Sequence, residues 1–333
     1  MQNLPQNKKK LLRRLADGHF HSGVTLASEL KVSNSAICKL VSSLNFSQIV
    51  TIRAVNGKGY KLDRPLELID KVLFFEKINQ QTQALITDFE LYDEIESTNS
   101  YLLAKAHENL AATGVICVAE KQTVGKGRRG RHWVSPFGCN LYFSILWKFE
   151  TGPGSLSGLS LAVGVAVINA LKLHNIEGVG LKWPNDIYWQ YKKLGGILVE
   201  ISGENEGPCS AVIGLGLNLS LDKQAAEGID QDWIDLAQIL GKEEAISRNA
   251  LLVTLVEQLF MVITHYQQVG FGYYLEQWRD YDCMLGQSVN LMMGHQQIAG
   301  VVKGINEQGL LALQMDSGEI KHYASGEVSF KRA

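Results

Sequence analysis

Residues 21–44 read HSGVTLASELKVSNSAICKLVSSL, two short amphipathic patterns that meet at a polar turn. Val24, Leu26, Ala27 and Leu30 fall where a short helix gathers apolar side chains on one side. Val32 and Ser33 suit a tight turn, and Ser33 or Asn34 is placed to cap a second helix by accepting from its first free amides. Ala36, Ile37, Leu40, Val41 and Leu44 then give that helix its own apolar face. Two short helices about a small turn make a helix-turn-helix. Upstream, Lys8 to Ala16 predicts a helix with Leu11, Leu12 and Leu15 on one stripe. Downstream, Ile49 to Arg53 alternates like a strand, Asn56 to Gly59 supply a flexible tip, and Tyr60 to Leu62 suit a return strand. Together these make a winged helix. Its candidates for DNA contact are Ser33, Asn34, Ser35 and Lys39 on the second helix, with Arg53, Lys58 and Lys61 on the wing. Cations there neutralise phosphate while the helix meets the groove. The same unit also serves as a packing or protein-interaction module, and the pattern leaves both open.

Arg64-Pro65 closes this unit. Leu66 to Ala84 predicts a helical linker. From there to about Met284 strands and helices alternate, with strands expected at Val115–Ala119, Asn140–Leu146, Ile197–Ile201 and Ala211–Ile213, and an amphipathic helix at Leu251–Gln268. The last fifty or so residues alternate apolar and polar between glycines, as a small all-β barrel does. The 333 residues thus divide at 1–65, 66–284 and 285–333, an α+β organisation.

Composition narrows the class. Hydrophobic residues make up 46% and charged residues 20%, which is globular. With 32 Lys and Arg against 34 Asp and Glu, the formal charge is −2, so bulk charge does not hold this chain to nucleic acid. Cys38, Cys117, Cys139, Cys209 and Cys283 form no CxxC pair and do not cluster with histidines, which argues against zinc and fits reduced thiols in the cytoplasm. The basic N-terminus lacks the apolar region of a secretory signal. Leu156–Leu173 is apolar but broken by Ser157, Gly158, Ser160, Asn169 and Lys172, so it predicts a buried helix rather than a membrane span.

Five segments of the middle unit carry chemistry. GKGRRGR, Gly125–Arg131, mixes glycines that let backbone amides approach a ligand with cations that suit a carboxylate or phosphate. It lacks the GKS/GKT ending of a P-loop and does not stand as GxGxxG between a strand and a helix, so the standard nucleotide fingerprints do not apply. KWPNDIYW, Lys182–Trp189, offers Asn185 and Asp186 on a turn stiffened by Pro184, a place for hydrated Mg²⁺ or simply a turn. KKLGGILVE, Lys192–Glu200, puts Lys193 at the lip of an apolar strand. IGLGLNLS, Ile213–Ser220, thins a strand with Gly214 and Gly216 before Asn218, for a ligand or for close packing. ESTNS, Glu96–Ser100, combines small hydrogen-bonding groups with a helix cap.

In this order and spacing, ESTN, GKGRRGR with HWVSPFGCNLY, KWPNDIY, KLGGILVE and GLGLN resemble the biotin–protein ligase family over nearly the whole chain. With a winged helix in front and a small barrel behind, the sequence is similar to the bifunctional form that is also a biotin-operon repressor. The resemblance implies a class II synthetase-like catalytic domain and an SH3-like C-terminal barrel. It implies ATP, biotin and Mg²⁺, formation of biotinyl-5′-AMP, and transfer of biotin to a lysine of the biotin carboxyl carrier protein of acetyl-CoA carboxylase. It assigns catalysis to Lys193, Arg128 and Asp186, with Asp186 placing the metal. It assigns biotin to Ser97, Thr98, Asn99, Gln122, Gly125, Lys126, Gly127, Arg128, Lys193, Gly196 and Gly214. It assigns the adenylate to Arg128, Arg129, Arg131, Trp133, Lys182, Asn185 and Asn218. Lys126 departs from the family's usual arginine, keeping charge but losing the guanidinium fork. The resemblance further implies that the adenylate orders loops, that ordered loops favour a homodimer, and that the dimer meets a palindromic operator. Its rivals are a lipoyl–protein ligase, a ligase whose winged helix no longer binds DNA, and a repressor whose catalytic domain only senses ligand.

Overall fold

The computed structural model describes residues 3–47, 49–108, 112–204, 207–221, 225–241 and 246–330. The N-terminal unit contains α1 (Gln6–Leu15), α2 (Gly23–Leu30), α3 (Asn34–Phe46), β1 (Ile52–Val55) and β2 (Gly59–Leu62). Leu11, Leu12, Leu15, Leu26, Ile37, Val41, Leu44 and Ile52 fill its core. Ser33 caps α3 by accepting from the Ala36 amide at 3.2 Å. The wing differs from expectation, because its first strand begins at Ile52 rather than Ile49. Asn45 on α3 bonds both the amide and the carbonyl of Ile52, at 2.8 and 2.9 Å, so the ladder starts there. Ile49 and Val50 pack on the core instead of pairing.

The predicted linker helix is also corrected. Residues 66–70 run extended, then α4 (Lys71–Lys77) and α5 (Gln80–Leu85) follow as two short helices. Asp70 and Asn79 cap them, and each cap requires non-helical backbone at its own position. The extended stretch is held by buried charge. Glu120 accepts from the Ile69 amide at 2.6 Å and pairs with Arg248 at 2.8 Å. Such a pair is costly to break, because either survivor is left as a buried charge. Phe137, from the middle unit, completes the N-terminal core.

The middle unit continues with β3 (Asp88–Tyr92), α6 (Thr98–His107), β4 (Val115–Ala119), β5 (Leu141–Phe149), α7 (Leu159–Leu173), β6 (Val179–Lys182), β7 (Asp186–Trp189), β8 (Lys192–Gly203), β9 (Cys209–Leu217), α8 (Leu236–Leu240), α9 (Arg248–Val269) and α10 (Leu275–Asp280). The strands form one seven-stranded sheet ordered β3-β4-β5-β9-β8-β7-β6. Alternation along β4 divides its faces: Ile116 and Val118 join the core of α7 and α9, whereas Val115, Cys117 and Ala119 face α6. Residues 153–173 and 248–269 are long and apolar enough to cross a membrane, yet 67% and 61% of those windows is buried in the protein. The C-terminal unit comprises β10 (Ser288–Met293), β11 (Gln296–Ile305), β12 (Leu311–Gln314), β13 (Ile320–Tyr323) and β14 (Glu327–Phe330). The expected small barrel is a five-stranded antiparallel sheet with β13 and β14 at its edges.

Candidate functional site

A cavity of about 970 Å³ lies between the middle sheet, the 125–133 loop and the C-terminal sheet. Its two ends differ in chemistry. The first is built at the N-terminus of α6, where Ser97 caps the helix and Thr98 and Asn99 enter its first turn, all three buried. The Thr98 amide donates to Gln122 Oε1 at 2.9 Å, and the Thr98 hydroxyl lies 2.7 Å from that of Ser144 on β5. Ser144 donates to Asn99 Oδ1 at 2.8 Å. Sequence reasoning missed Ser144, whose only signal is a polar residue inside an apolar strand.

The glycines of β9 have a specific role. A Cβ on Gly214 would fall on Asn99 Oδ1, and one on Gly216 would stand 2.5 Å from the Trp133 indole. The thinned strand therefore makes room for two site side chains. Gly125, by contrast, does not line the cavity: a Cβ there would meet the Trp133 carbonyl and stand 2.7 Å from Ser135 Oγ. Its glycine serves the fold of the loop. Gly196 does line the cavity, with the Trp133 ring 3.4 Å from its Cβ position.

The second end is cationic. β8 carries a bulge opposite β7, since Ile187 pairs with Gly195 but Tyr188 with Lys193. Bulges re-aim side chains, and Lys193 Nζ here reaches Asp186 Oδ1 at 2.9 Å. Lys182 Nζ stands 3.8 Å from the other oxygen of Asp186 and donates to Tyr188 at 3.1 Å. Burial pulls the Lys182 ammonium below its ordinary pKa, Asp186 opposes that, and the charge on Lys193 adds to it. Arg128 donates to Asn185 Oδ1 at 3.1 Å, and burial lowers its pKa too. Asn185 in turn donates to the Ile197 carbonyl at 2.7 Å, across the turn whose Trp183-Pro184 bond is cis.

The 125–133 loop folds back on itself. The Trp133 amide donates to the Gly125 carbonyl at 2.8 Å and the Gly127 amide to the Arg131 carbonyl at 2.7 Å. Lys126 and Gly127 line the cavity from it, Lys126 being exposed. Arg129 adopts a left-handed backbone, φ 56°, and donates to the Met292 carbonyl at 3.2 Å, while Arg131 pairs with Glu327 of β14. The C-terminal sheet thus holds the loop by exchangeable charged contacts. Trp133 lies under Lys193, 5.5 Å from ring centre to Nζ, and its buried indole N–H has no partner among the described residues.

Asn218 stands apart. It is buried, donates to the Ile234 carbonyl at 3.2 Å, and borders a small neighbouring cavity behind Trp133 and Lys193 rather than the main one. Metal chemistry was expected at Asp186. That carboxylate already faces two ammonium groups, and among the described residues no three His, Cys, Asp or Glu side chains are placed together to hold a metal. The residues fit a magnesium ion brought in on a triphosphate, since Mg²⁺ keeps its waters and takes phosphate oxygens readily. They do not fit a site built by the protein alone. Among the described residues none of the five cysteines forms a disulfide.

On the N-terminal unit, Ser33, Asn34, Ser35 and Lys39 are exposed along the start of α3. Arg53 is paired with Asp63 across the wing. Lys58 and Lys61 flank the ring of Phe20 at 5.9 and 5.8 Å, an aromatic the sequence analysis did not single out.

Family models match three parts of the chain: an HTH domain at 7–61, the biotin/lipoate A/B protein ligase family at 91–218, and a biotin protein ligase C-terminal domain at 284–331. The chain is 38% identical over 323 residues to the bifunctional ligase/repressor BirA of Salmonella typhimurium, covering 97% of each. It is 37% identical over 327 residues to that of Escherichia coli K12, again 97% of each. Among solved structures it is similar to the biotin protein ligase of Aquifex aeolicus in complex with biotin and ATP, with a TM-score of 0.62, 29% identity, and coverage of 74% of this chain and 100% of that one.

Proposed function

The chain belongs to the biotin–protein ligase family, in the form that joins ligase and repressor, and we propose from that membership how its residues divide the work. It is an ATP-dependent biotin–protein ligase, a biotin–[acetyl-CoA-carboxylase] ligase, and a DNA-binding repressor. One observation carries the division of labour: a buried neutral polar cluster and a cationic cluster that includes Lys193 line one cavity.

The ureido ring of biotin lies at Ser97, Thr98, Asn99 and Gln122, with Gly214 and Gly196 along its path. A dithiolane has neither the N–H groups nor the carbonyl that this cluster serves, so lipoate fits it poorly. The carboxylate end reaches Lys193, where it meets the α-phosphate. A biotin carboxylate oxygen attacks phosphorus, the α–β bridging bond breaks, and pyrophosphate leaves with its electron pair. Lys193, Lys182, Arg128 and Arg131 offset the negative charge that gathers there. Asp186 holds the two lysines in place before substrate arrives, and magnesium comes as MgATP. Lys126, Gly127 and Arg129 cover the adenylate with the loop, and Trp133 and Asn185 flank it. Closure keeps water from the mixed anhydride. In the second step the acceptor lysine amine attacks the acyl carbon, an amide forms and AMP leaves. No thiol takes part.

The repressor half works through α3 and the wing, with Asn34, Ser35, Lys39, Arg53 and Lys58 toward DNA. Adenylate acts as corepressor by favouring a homodimer on a two-fold operator. Thiols outside any disulfide suit the cytoplasm. The test has two arms. Biotin, and not lipoate, should drive ATP–pyrophosphate exchange and modify a carrier domain; exchange with lipoate alone overturns the assignment of acid. A gel shift with the native biotin-operon promoter should show an adenylate-dependent complex. Full ligase activity without that complex leaves a ligase whose winged helix has lost DNA.

A further inference from the structure

We propose that Glu200 and Ser144 are positioning residues that fix the direction of a hydrogen-bond chain, and thereby make Thr98 an acceptor for a ring N–H of biotin. The inference rests on the assignment of this end of the cavity to the ureido ring.

The chain starts at Glu200 on β8. Asn99 Nδ2 donates to Glu200 Oε2 at 2.7 Å and toward the Leu198 carbonyl at 3.4 Å. Both neighbours only accept, so the amide nitrogen alone can face them. Asn99 Oδ1 must then point the other way, toward Ser144, as an acceptor. The Ser144 hydroxyl spends its one proton there, at 2.8 Å. It lies 2.7 Å from the Thr98 hydroxyl, and that separation needs a proton in it, which only Thr98 has left to give. Thr98 Oγ1 therefore has no proton for Gln122 Oε1, 3.2 Å away. Gln122 is fixed as well, because its Oε1 accepts from the Thr98 amide and its Nε2 donates to Ser135 Oγ at 3.1 Å.

The result is two oxygens, Thr98 Oγ1 and Gln122 Oε1, side by side on the cavity wall with lone pairs unspent. Thr98 Oγ1 is left with no donor, and Gln122 Oε1, which already accepts from the Thr98 amide, keeps one lone pair to spare. A cyclic urea supplies a donor in each ring N–H, and the remaining N–H of the Gln122 amide is free for the urea carbonyl. Substitution of either remote residue spoils this match by freeing the Thr98 proton, which then occupies Gln122 Oε1 or faces the ring N–H. In Glu200→Gln the fixed acceptor becomes an amide that can also present nitrogen; only the 3.4 Å contact with the Leu198 carbonyl then opposes a turn of Asn99, and that turn reverses the protons on Ser144 and Thr98. In Ser144→Ala the Thr98 proton swings to Gln122 Oε1.

The experiment measures binding of biotin and of two isosteric cyclic carbamates, in each of which a ring oxygen replaces one N–H. It uses the full-length wild type, Glu200→Gln and Ser144→Ala, with thermal melting of each. The wild type should prefer biotin over at least one carbamate by about 100-fold, the loss expected for a desolvated acceptor without its donor. Both variants should weaken biotin by roughly 10-fold, yet bind that carbamate about as well as the wild type does, so the preference collapses. ATP affinity should not move. A merely structural role weakens all three ligands together and leaves the preference intact, which overturns the proposal. Equal binding of biotin and both carbamates by the wild type overturns it too. Glu200→Gln is isosteric and partly exposed, so it stands alone should Ser144→Ala fail to fold. Failure of the wild type to bind biotin at all would instead remove the site assignment beneath it.

Discussion

On the proposed assignment, the two ends of the cavity recognise their guests in opposite ways. At the neutral end, short side chains from α6 and from strands are buried and spend their hydrogen bonds on one another before ligand arrives. At the charged end, long cations on a loop and on strand lips hold provisional partners: Asp186 for Lys193, Glu327 for Arg131, and the Met292 carbonyl for Arg129. A neutral ring offers little Coulomb energy, so its site must be right in geometry beforehand. A triphosphate offers a great deal, so its site can wait in paired form and exchange partners.

Lys193→Ala should break the charged end most. Formation of biotinyl-5′-AMP should slow by about 10²–10³-fold, the usual loss when one preorganised stabiliser of developing charge is removed. Biotin-dependent pyrophosphate exchange measures this. An activity within a few-fold of wild type would mean that Lys182 and the arginines hold the charge without it.

A pair of glycine substitutions sharpens the comparison next. In Gly214→Ala the added carbon falls on Asn99 Oδ1, and overpacking there should weaken biotin by about 10- to 100-fold without moving the KM for ATP. In Gly130→Ala the carbon meets nothing within 4 Å, and the only penalty is a left-handed backbone, φ 75°. That costs about 1 kcal/mol of loop strain and should move ATP rather than biotin. Equal effects on both substrates from both variants would dissolve the distinction between the ends.

The same contrast decides what could be seen in the sequence. The charged end was legible, because GKGRRGR and KWPND place cations and turn residues so densely that few other uses fit them. Lys193 was legible through its place before Gly195-Gly196, although the bulge that aims it was not. The neutral end was legible only where polar residues start a helix, at Ser97–Asn99. Ser144 and Glu200 come from strands that read as ordinary β pattern, and only the sheet register brings them to α6. Gly125 and Asn218 show the reverse case, motif residues that do not line the main cavity. A motif residue can serve the fold that presents its neighbours, as the close approach of Gly125 to the Trp133 carbonyl does. The linker misled for a local reason: its apolar spacing suits a helix, but Asp70 and Asn79 cap helices at their own positions and so interrupt one.

Ionic strength should separate the ends by a smaller factor. The KM for ATP should rise roughly three- to tenfold between 0.05 and 0.3 M salt, because Arg129 and Arg131 are exposed and screened, while the KM for biotin stays level. Arg131→Met should flatten that rise. Parallel salt curves for the two substrates would count against recognition by exchange.

The finest test is pH. Lys182 sits among Asp186, Lys193 and Tyr188, and burial, the largest influence, lowers its pKa. A lowered value means the ammonium loses its proton at a lower pH than an exposed lysine does. The charge it lends to the phosphates fades as pH climbs toward the ordinary lysine value. ATP affinity should therefore begin to fall below the pH at which an ordinary exposed lysine loses its proton. Lys182→Arg keeps its charge throughout that range, and should move the fall to higher pH, while Lys182→Met should start weaker and lose that limb altogether. The preference for biotin over a ring carbamate, measured alongside, should show no such limb in any of the three proteins, because Thr98, Gln122, Asn99 and Ser144 carry no group that titrates there. A preference that follows Lys182 would place the ammonium at the ureido end and join the two halves of the cavity into one charged site.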